Sequence, residues 1–193
     1  MTSMTQDNKD WSLVERIKAG DDQAFDVIMA RYKRPIFCFV YRMVGDSEDA
    51  EDVAQDVFVR AYQSIRKSTF HQMKAEFSTW LFQVARNATL DCLRRRKRHP
   101  VEFLAAMDDN GESIADDGRT AHEETSAKEI GEQIAEAVAC LPEDQRLVFI
   151  FLEYEHLSYS EIAAVLKCSL KSVEARLYRA RLSLRQQLMH LLE

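Results

Sequence analysis

The sequence predicts an all-α protein made of two small helical domains joined by an acidic linker. Glycine and proline are scarce, with 5 and 3 among 193 residues, and apolar residues recur at three- and four-residue steps along most of the chain. This helical spacing is lost where the chain runs DDNGESIADDGRTAHEET. We therefore expect residues 11–99 to fold as one domain, residues 100–127 to form the linker, and residues 128–193 to fold as the second domain.

The composition and the spacing of polar residues argue against an enzyme. The sequence contains neither G-x-G-x-x-G nor a P-loop, and no spacing places a catalytic site, a cofactor or a metal. Cys38, Cys92, Cys140 and Cys168 are widely separated, which favours buried small hydrophobic residues over metal ligands or disulfides. The N-terminus has no signal-peptide core, and no apolar run could cross a bilayer. We expect a cytoplasmic protein with no membrane insertion.

The net charge of −6 conceals two basic segments. Residues 82–99 carry six Lys or Arg against one acid, and residues 167–193 carry six against two. Residues 100–127, between them, carry eight acids against one Arg. Two basic segments around an acidic spacer indicate contact with a polyanion, which the overall charge does not.

Residues 77–99 predict an amphipathic helix with a strongly basic end. Ser78 or Thr79 could cap its start, and Pro100 ends it. Its apolar face consists of Phe77, Trp80, Leu81, Val84, Ala85, Ala88 and Cys92. Five consecutive cations follow at positions 94–98, more than the one or two that suit a helix C-terminus. The run indicates either contact with nucleic acid or a solvated tail, and this helix alone leaves both open.

Two helices are predicted shortly before the basic one. The first ends at Gly45 and contains Pro35, which should kink or break it. Asp46 or Ser47 caps the second, whose buried face consists of Ala50, Val53, Ala54, Val57, Phe58, Ala61 and Ile65. Its opposite face contains Glu48, Glu51, Asp52, Gln55 and Asp56. Val59 falls on this acidic face, which indicates a basic, partly apolar protein partner in preference to a plain solvated surface.

Residues 66–76 lack periodicity and are predicted to form a loop before the basic helix. The loop holds Phe70 among small and polar side chains. An aromatic ring in that position either packs into the core or stacks on an unpaired base.

The second domain contains a helix-turn-helix pattern. Ser158 and Glu161 form a capping box that starts a short helix, and Ser169 caps a second helix after a three-residue turn. Val173, Leu177, Ala180 and Leu184 face inward on the second helix. Lys171, Glu174, Ala175, Tyr178, Arg179 and Arg185 remain outside, with Ser172 and Arg176 near the boundary. The exposed cations favour DNA binding in the major groove over an αα-hairpin without a DNA role.

Three segments together resemble bacterial RNA polymerase sigma factors. They are DAEDVAQDVFVRAYQSI (49–65), FSTWLFQVARNATLDCLRRRKR (77–98) and LPEDQRLVFIFLEYEHLSYSEIAAVLKCSLKSVEARLYRARLSL (141–184). The class is the compact extracytoplasmic function class, or group four, which keeps only the sigma-2 and sigma-4 domains. The resemblance implies a subunit that binds core RNA polymerase, directs it to promoters, promotes DNA melting and is controlled by an anti-sigma factor.

The resemblance also implies roles for individual residues. Docking on the clamp helices of the polymerase β′ subunit would use Asp52, Gln55, Asp56 and Val59. Minus-ten recognition and melting would use Phe70 and Asn87 around an unstacked base, with Arg94 and Arg95 holding phosphates. Minus-thirty-five recognition would use Lys171, Ser172, Glu174, Ala175, Tyr178 and Arg179. The acidic linker would thread basic channels of the polymerase, whose β subunit is a further implied partner.

Several alternatives stay open at this point. Glu174 could accept from cytosine N4 or merely orient Lys171, one turn back on the same face. The chain could be a different DNA-binding regulator with an N-terminal sensor domain, but residues 77–98 and the acidic face would then have no role. It could also be an anti-sigma or adaptor protein, or a degenerate sigma factor that binds polymerase without initiating.

Overall fold

The computed structural model describes residues 2–67, 76–98 and 121–189, and these form eight helices. They are α1 (Thr2–Lys18), α2 (Gln23–Val44), α3 (Ser47–Arg66), α4 (Phe77–Arg98), α5 (Ala121–Ala139), α6 (Glu143–Glu153), α7 (Tyr159–Leu166) and α8 (Leu170–Gln187). No strand occurs among the described residues, and the all-α prediction is confirmed. We call α1–α4 the first helical unit and α5–α8 the second.

The first helical unit packs around an aromatic cluster. The ring of Phe77, at the start of α4, is fully buried and lies 5.8 Å from the ring of Trp11 and 5.9 Å from that of Tyr32, centroid to centroid. Trp80 lies 5.4 Å from the same ring. Burying each such side chain contributes roughly 1.5–3 kcal/mol, so the cluster fixes the start of α4 against α1 and α2.

Because Phe77 itself belongs to α4, the prediction that Ser78 or Thr79 caps this helix is wrong. The Trp80 N–H donates to the Glu76 carbonyl at 3.2 Å, which places both candidate caps inside the first turn. The buried Phe77 ring belongs to the first turn of α4. The positions of the Ser78 and Thr79 hydroxyl groups in the sequence do not reveal this start.

Pro35 does not break α2, which runs from Gln23 to Val44. Of the predicted kink or break at Pro35, the break does not occur. A proline removes one helical hydrogen bond, but Ile36 and Phe39 on the following turn are fully buried and hold the helix in place. Gly45 then ends α2 as predicted. Its backbone is left-handed, with φ of 79°, and its N–H donates to the Tyr41 carbonyl at 2.8 Å.

The structure confirms the predicted start and the predicted buried face of α3. The Asp46 carboxylate caps the helix by accepting from the Asp49 N–H at 2.8 Å. All seven residues assigned to its apolar face are buried. The acidic side of α3 is consequently turned outward.

The second helical unit contains the predicted helix-turn-helix in α7 and α8. Ser158 and Glu161 form the capping box, and the Ser169 hydroxyl accepts from the Ser172 N–H at 3.3 Å. Lys167 ends α7 with φ of 52°, the left-handed conformation that glycine adopts more easily. Pro142 directly precedes α6, and α5 begins at Ala121, inside the segment predicted as linker.

The two helical units pack directly against each other. Phe39 of α2 stacks on Phe151 of α6 with ring centroids 4.7 Å apart. Phe82 of α4 meets both rings edge-on, at 5.9 and 5.7 Å. The Gln83 side-chain amide donates to the Ala164 carbonyl at 3.0 Å, so α4 also contacts α7.

Candidate nucleic-acid interface

An open cleft of about 290 Å³ lies between the end of α3 and the middle of α4. It is lined by Arg60, Gln63, Ser64, Lys67, Val84 and Asn87. Asn87, predicted from the sequence to contact an unstacked base, is exposed and contributes to this cleft. Phe70, its predicted partner, lies outside the described residues.

The lining of the cleft combines cations, amides and a hydroxyl with one apolar side chain. The Arg60 guanidinium is held by Asp56 at 2.7 Å and lies 3.8 Å from Asp91, so it is oriented by carboxylates. Arg86 donates to the Asn87 side-chain oxygen at 3.2 Å. With its oxygen engaged, Asn87 presents its Nδ2 group as a hydrogen-bond donor. Amides and a hydroxyl suit the polar edge of a flat ring, and cations suit an attached phosphate, so the lining matches the chemistry of a nucleotide.

Sequence reasoning missed the α3 side of this cleft. Arg60, Gln63, Ser64 and Lys67 recur at the helical i, i+3, i+4, i+7 spacing, so they share one face at the end of α3. That spacing is visible in the sequence. Its meaning depends on where α4 passes, because only packing brings Asn87 opposite this face.

The five cations at the end of α4 do not act alike. Arg94 lies 3.3 Å from Asp91, and both Arg94 and Arg95 are exposed, as a phosphate-binding role requires. Arg96 turns inward: its guanidinium donates to the Val44 carbonyl at 2.7 Å and pairs with Asp49. The interpretation of the whole run as a nucleic-acid contact or a solvated tail therefore fails for Arg96.

The outward face of α8 presents the predicted base-reading residues. Lys171, Glu174, Ala175, Tyr178 and Arg179 are exposed, and Ser172 is half-buried. Tyr178 stands out because 70% of its surface is accessible. Four inward residues anchor the helix, as predicted: Val173, Leu177, Ala180 and Leu184.

Two other cations of α8 hold the helix in place. The Arg176 guanidinium lies 3.3 Å from the Asp144 carboxylate. The Arg181 guanidinium lies 2.9 Å from Glu153, and this hydrogen bond raises the pKa of Arg181. Both contacts tie α8 to α6, so the outward face of α8 has a fixed orientation within the second helical unit.

The acidic face of α3 is open to solvent. Asp52, Gln55 and Val59 are exposed, with 47% of the Val59 surface accessible, and Asp56 is half-buried beside Arg60. Asp56 thus joins the acidic face to the cleft. An exposed branched apolar residue among carboxylates is the arrangement predicted for a basic, partly apolar partner.

The cysteines differ in how far they are buried. Cys92 is buried as predicted, and burial raises the pKa of its thiol, which keeps it protonated. Cys140 is exposed, so the expectation of burial is wrong there, because the end of α5 faces solvent.

Within residues 2–67, 76–98 and 121–189, no group of His, Cys, Asp and Glu side chains could hold a metal ion. The helices of these same ranges include none that is long and apolar enough to span a bilayer.

Each of the two helical units matches a known protein family. Residues 28–99 match the family model of Sigma-70 region 2, and residues 131–184 match that of Sigma-70, region 4. The RNA polymerase sigma-H factor of Pseudomonas aeruginosa is 33% identical, with 98% of each chain covered. The ECF RNA polymerase sigma factor SigW of Bacillus subtilis is also 33% identical, over 91% of this chain and 94% of its own. This chain belongs to the extracytoplasmic function class of RNA polymerase sigma factors.

A solved structure supports the fold of this sigma factor. The sigma factor RpoE of Bartonella quintana, in complex with the anti-sigma factor NepR, is similar with a TM-score of 0.65 and 22% identity. The similarity covers 86% of this chain and 96% of the other. The family models and the relatives of 33% identity confirm the family predicted from three sequence segments, while the roles of single residues in this sigma factor stay predictions.

Proposed function

We propose that this sigma factor directs core RNA polymerase to promoters by reading two DNA elements with two different helices. It acts in the cytoplasm as a polymerase subunit and has no catalytic site of its own. The observation that carries the proposal is the cleft between α3 and α4, which Asn87 lines together with three polar residues of α3 and with Lys67, the residue after α3.

The cleft is proposed to hold a base turned out of the minus-ten element. Unstacking a base costs a few kcal/mol, which hydrogen bonds from Asn87, Gln63 and Ser64 would offset in part. Arg94 and Arg95 would hold the neighbouring phosphates, and Phe70 would supply a stacking surface worth roughly 1–3 kcal/mol. Cations alone would bind duplex DNA without opening it.

The exposed face of α8 is proposed to read the minus-thirty-five element in the major groove. Lys171 and Arg179 are its cations, Glu174 can accept from cytosine N4, and Tyr178 and Ala175 offer apolar contact to a thymine methyl group. Ser172 lies at the N-terminus of α8, where backbone N–H groups favour a phosphate.

Three protein partners complete the proposal. The acidic face of α3 would dock on the β′ clamp helices through Asp52, Gln55, Asp56 and Val59. Residues 100–120, the part of the predicted linker that precedes α5, would thread basic channels of the polymerase and contact its β subunit. An anti-sigma factor would hold this chain inactive, as suggested by RpoE, whose solved complex contains NepR.

The decisive test is transcription by the purified chain with core polymerase of its own organism on a promoter library. Initiation at specific promoters that depends on the chain supports the proposal, and DNA binding without initiation would contradict it. Asn87→Ala tests the cleft, because it should reduce open-complex formation about tenfold while core binding stays unchanged. Gln186→Ala is the matched control, since this exposed amide lies beyond the base-reading face.

A further inference from the structure

The contact between the two helical units has a continuous apolar centre. We call Phe39, Phe82 and Phe151 the aromatic seam, because these rings stack or meet edge-on within 4.7–5.9 Å. Phe39 and Phe151 are fully buried and Phe82 is 4% exposed. Such rings, one each from α2, α4 and α6, would face water if the units separated as they stand. The seam therefore favours association of the two units.

Polar contacts border the seam. The Arg42 guanidinium of α2 lies 4.2 Å from the centre of the Tyr154 ring and 3.5 Å from the Glu155 carboxylate. The Glu155 side chain is only 7% exposed and so is shielded from solvent, whereas the Arg42 side chain is 31% exposed. Lys97 of α4 lies 3.8 Å from Glu143 of α6. These contacts fix the register in which the units meet.

In the packed arrangement, α4 and α8 lie too close together to contact both promoter elements at once. Directly packed helices have axes about 8–10 Å apart, and α4 contacts α7, which in turn contacts α8. The two DNA-binding helices therefore approach within about 20 Å of each other. The minus-ten and minus-thirty-five elements are separated by about 25 base pairs, or about 85 Å at 3.4 Å per base pair.

We propose that the aromatic seam forms an autoinhibitory contact that keeps the free sigma factor closed, with Arg42 offsetting the burial of the Glu155 carboxylate. The contact must open before α4 and α8 engage their separate elements on polymerase. This inference rests on the proposed two-element function. Because only open chains can bind, the apparent affinity for core polymerase is the intrinsic affinity multiplied by the fraction of chains that are open. This reduction needs no bound inhibitor.

The test compares three variants of the full chain. Arg42→Glu places two carboxylates together at the border of the seam, and Arg42→Glu with Glu155→Arg restores an ion pair in reversed polarity. Arg34→Glu makes the same charge change at an exposed position of α2 and serves as control. Small-angle scattering measures closure without polymerase, and titration with core polymerase measures its consequence. Circular dichroism verifies that each variant keeps its helices.

A closed chain of this length should have a radius of gyration of about 16 Å. We expect Arg42→Glu to increase this radius and to tighten core binding roughly threefold to tenfold, and the reversed pair to undo both changes. An unchanged radius in Arg42→Glu would refute the contact, and an increased radius with unchanged core affinity would refute autoinhibition. If the wild-type chain binds no core polymerase, the proposed function fails and autoinhibition with it, while scattering still decides whether the contact closes the chain.

Discussion

The Arg96 guanidinium donates to the Val44 carbonyl at 2.7 Å and so joins the end of α4 to the end of α2. It also pairs with Asp49 in the first turn of α3. A single cation thus provides a hydrogen-bond donor for a free carbonyl at the C-terminus of α2 and an ion-pair partner for a carboxylate in the first turn of α3. Arg95 next to it is exposed. The adjacent arginines therefore have different physical roles.

Arg96→Ala should destabilise the sigma factor, because it leaves Val44 and Asp49 without their cation. Loss of a charged hydrogen bond to partly buried groups costs roughly 1–3 kcal/mol. Arg95→Ala, the matched control, should change the free energy of unfolding by less than about 0.5 kcal/mol. Urea denaturation of both variants measures the difference. Equal stability of the two variants would contradict a structural role for Arg96.

Arg94→Ala and Arg95→Ala should instead weaken DNA binding through lost phosphate contacts. Each phosphate contact contributes about one unit to the slope of log affinity against log salt concentration. We expect the double variant to reduce that slope by about two when holoenzyme binding to promoter DNA is measured across salt concentrations. A slope equal to that of the wild type would exclude these side chains from the phosphate contacts.

Gln63→Ala tests the part of the cleft that the sequence did not reveal. Gln63 lies on the α3 side, opposite Asn87, so its removal should impair open-complex formation without changing core binding. The expected loss is roughly threefold to tenfold, as for one hydrogen bond of about 1 kcal/mol. Permanganate reactivity of unpaired thymines measures melting. Normal melting with Gln63→Ala and impaired melting with Asn87→Ala would limit base contact to α4.

The sequence predicts helices and their buried faces well, because these depend on local periodicity. The seven buried positions of α3 and the capping box at Ser158 illustrate this, since both follow from spacing within one helix. Pro35, Arg96 and Gln63 illustrate the opposite case. Whether a proline breaks α2, where an arginine points and what a polar face meets all depend on helices distant in sequence.

Charge reversal on α3 tests the proposed docking face. Asp52→Lys should abolish core binding, because the carboxylate is exposed and the proposed β′ surface is basic. Asp56→Lys also releases Arg60 at the cleft, so Asp52→Lys alone is the cleaner variant. Glu136→Lys makes the same change on an exposed turn of α5 and should bind core normally. Undiminished core affinity of Asp52→Lys would refute the docking face.

Glu155 makes closure of the two helical units sensitive to pH. Burial raises the pKa of its carboxyl group from 4.5 to about 7, and Arg42, the charged group that faces it from α2, only partly opposes this shift. A group whose pKa is raised in the closed state takes up a proton on closing. Its contribution to closure is therefore greatest below about pH 4.5 and is lost as the pH rises through about 7.

We therefore expect the radius of gyration of the wild-type chain to increase between pH 6 and pH 8. Glu155→Gln keeps a neutral side chain at all pH values, so it should remove this change and hold the chain closed at pH 8. Small-angle scattering at both pH values makes the comparison. Glu136→Gln, which changes an exposed carboxyl on α5, is the control and should keep the wild-type response. A pH response that persists in Glu155→Gln would show that another group carries it.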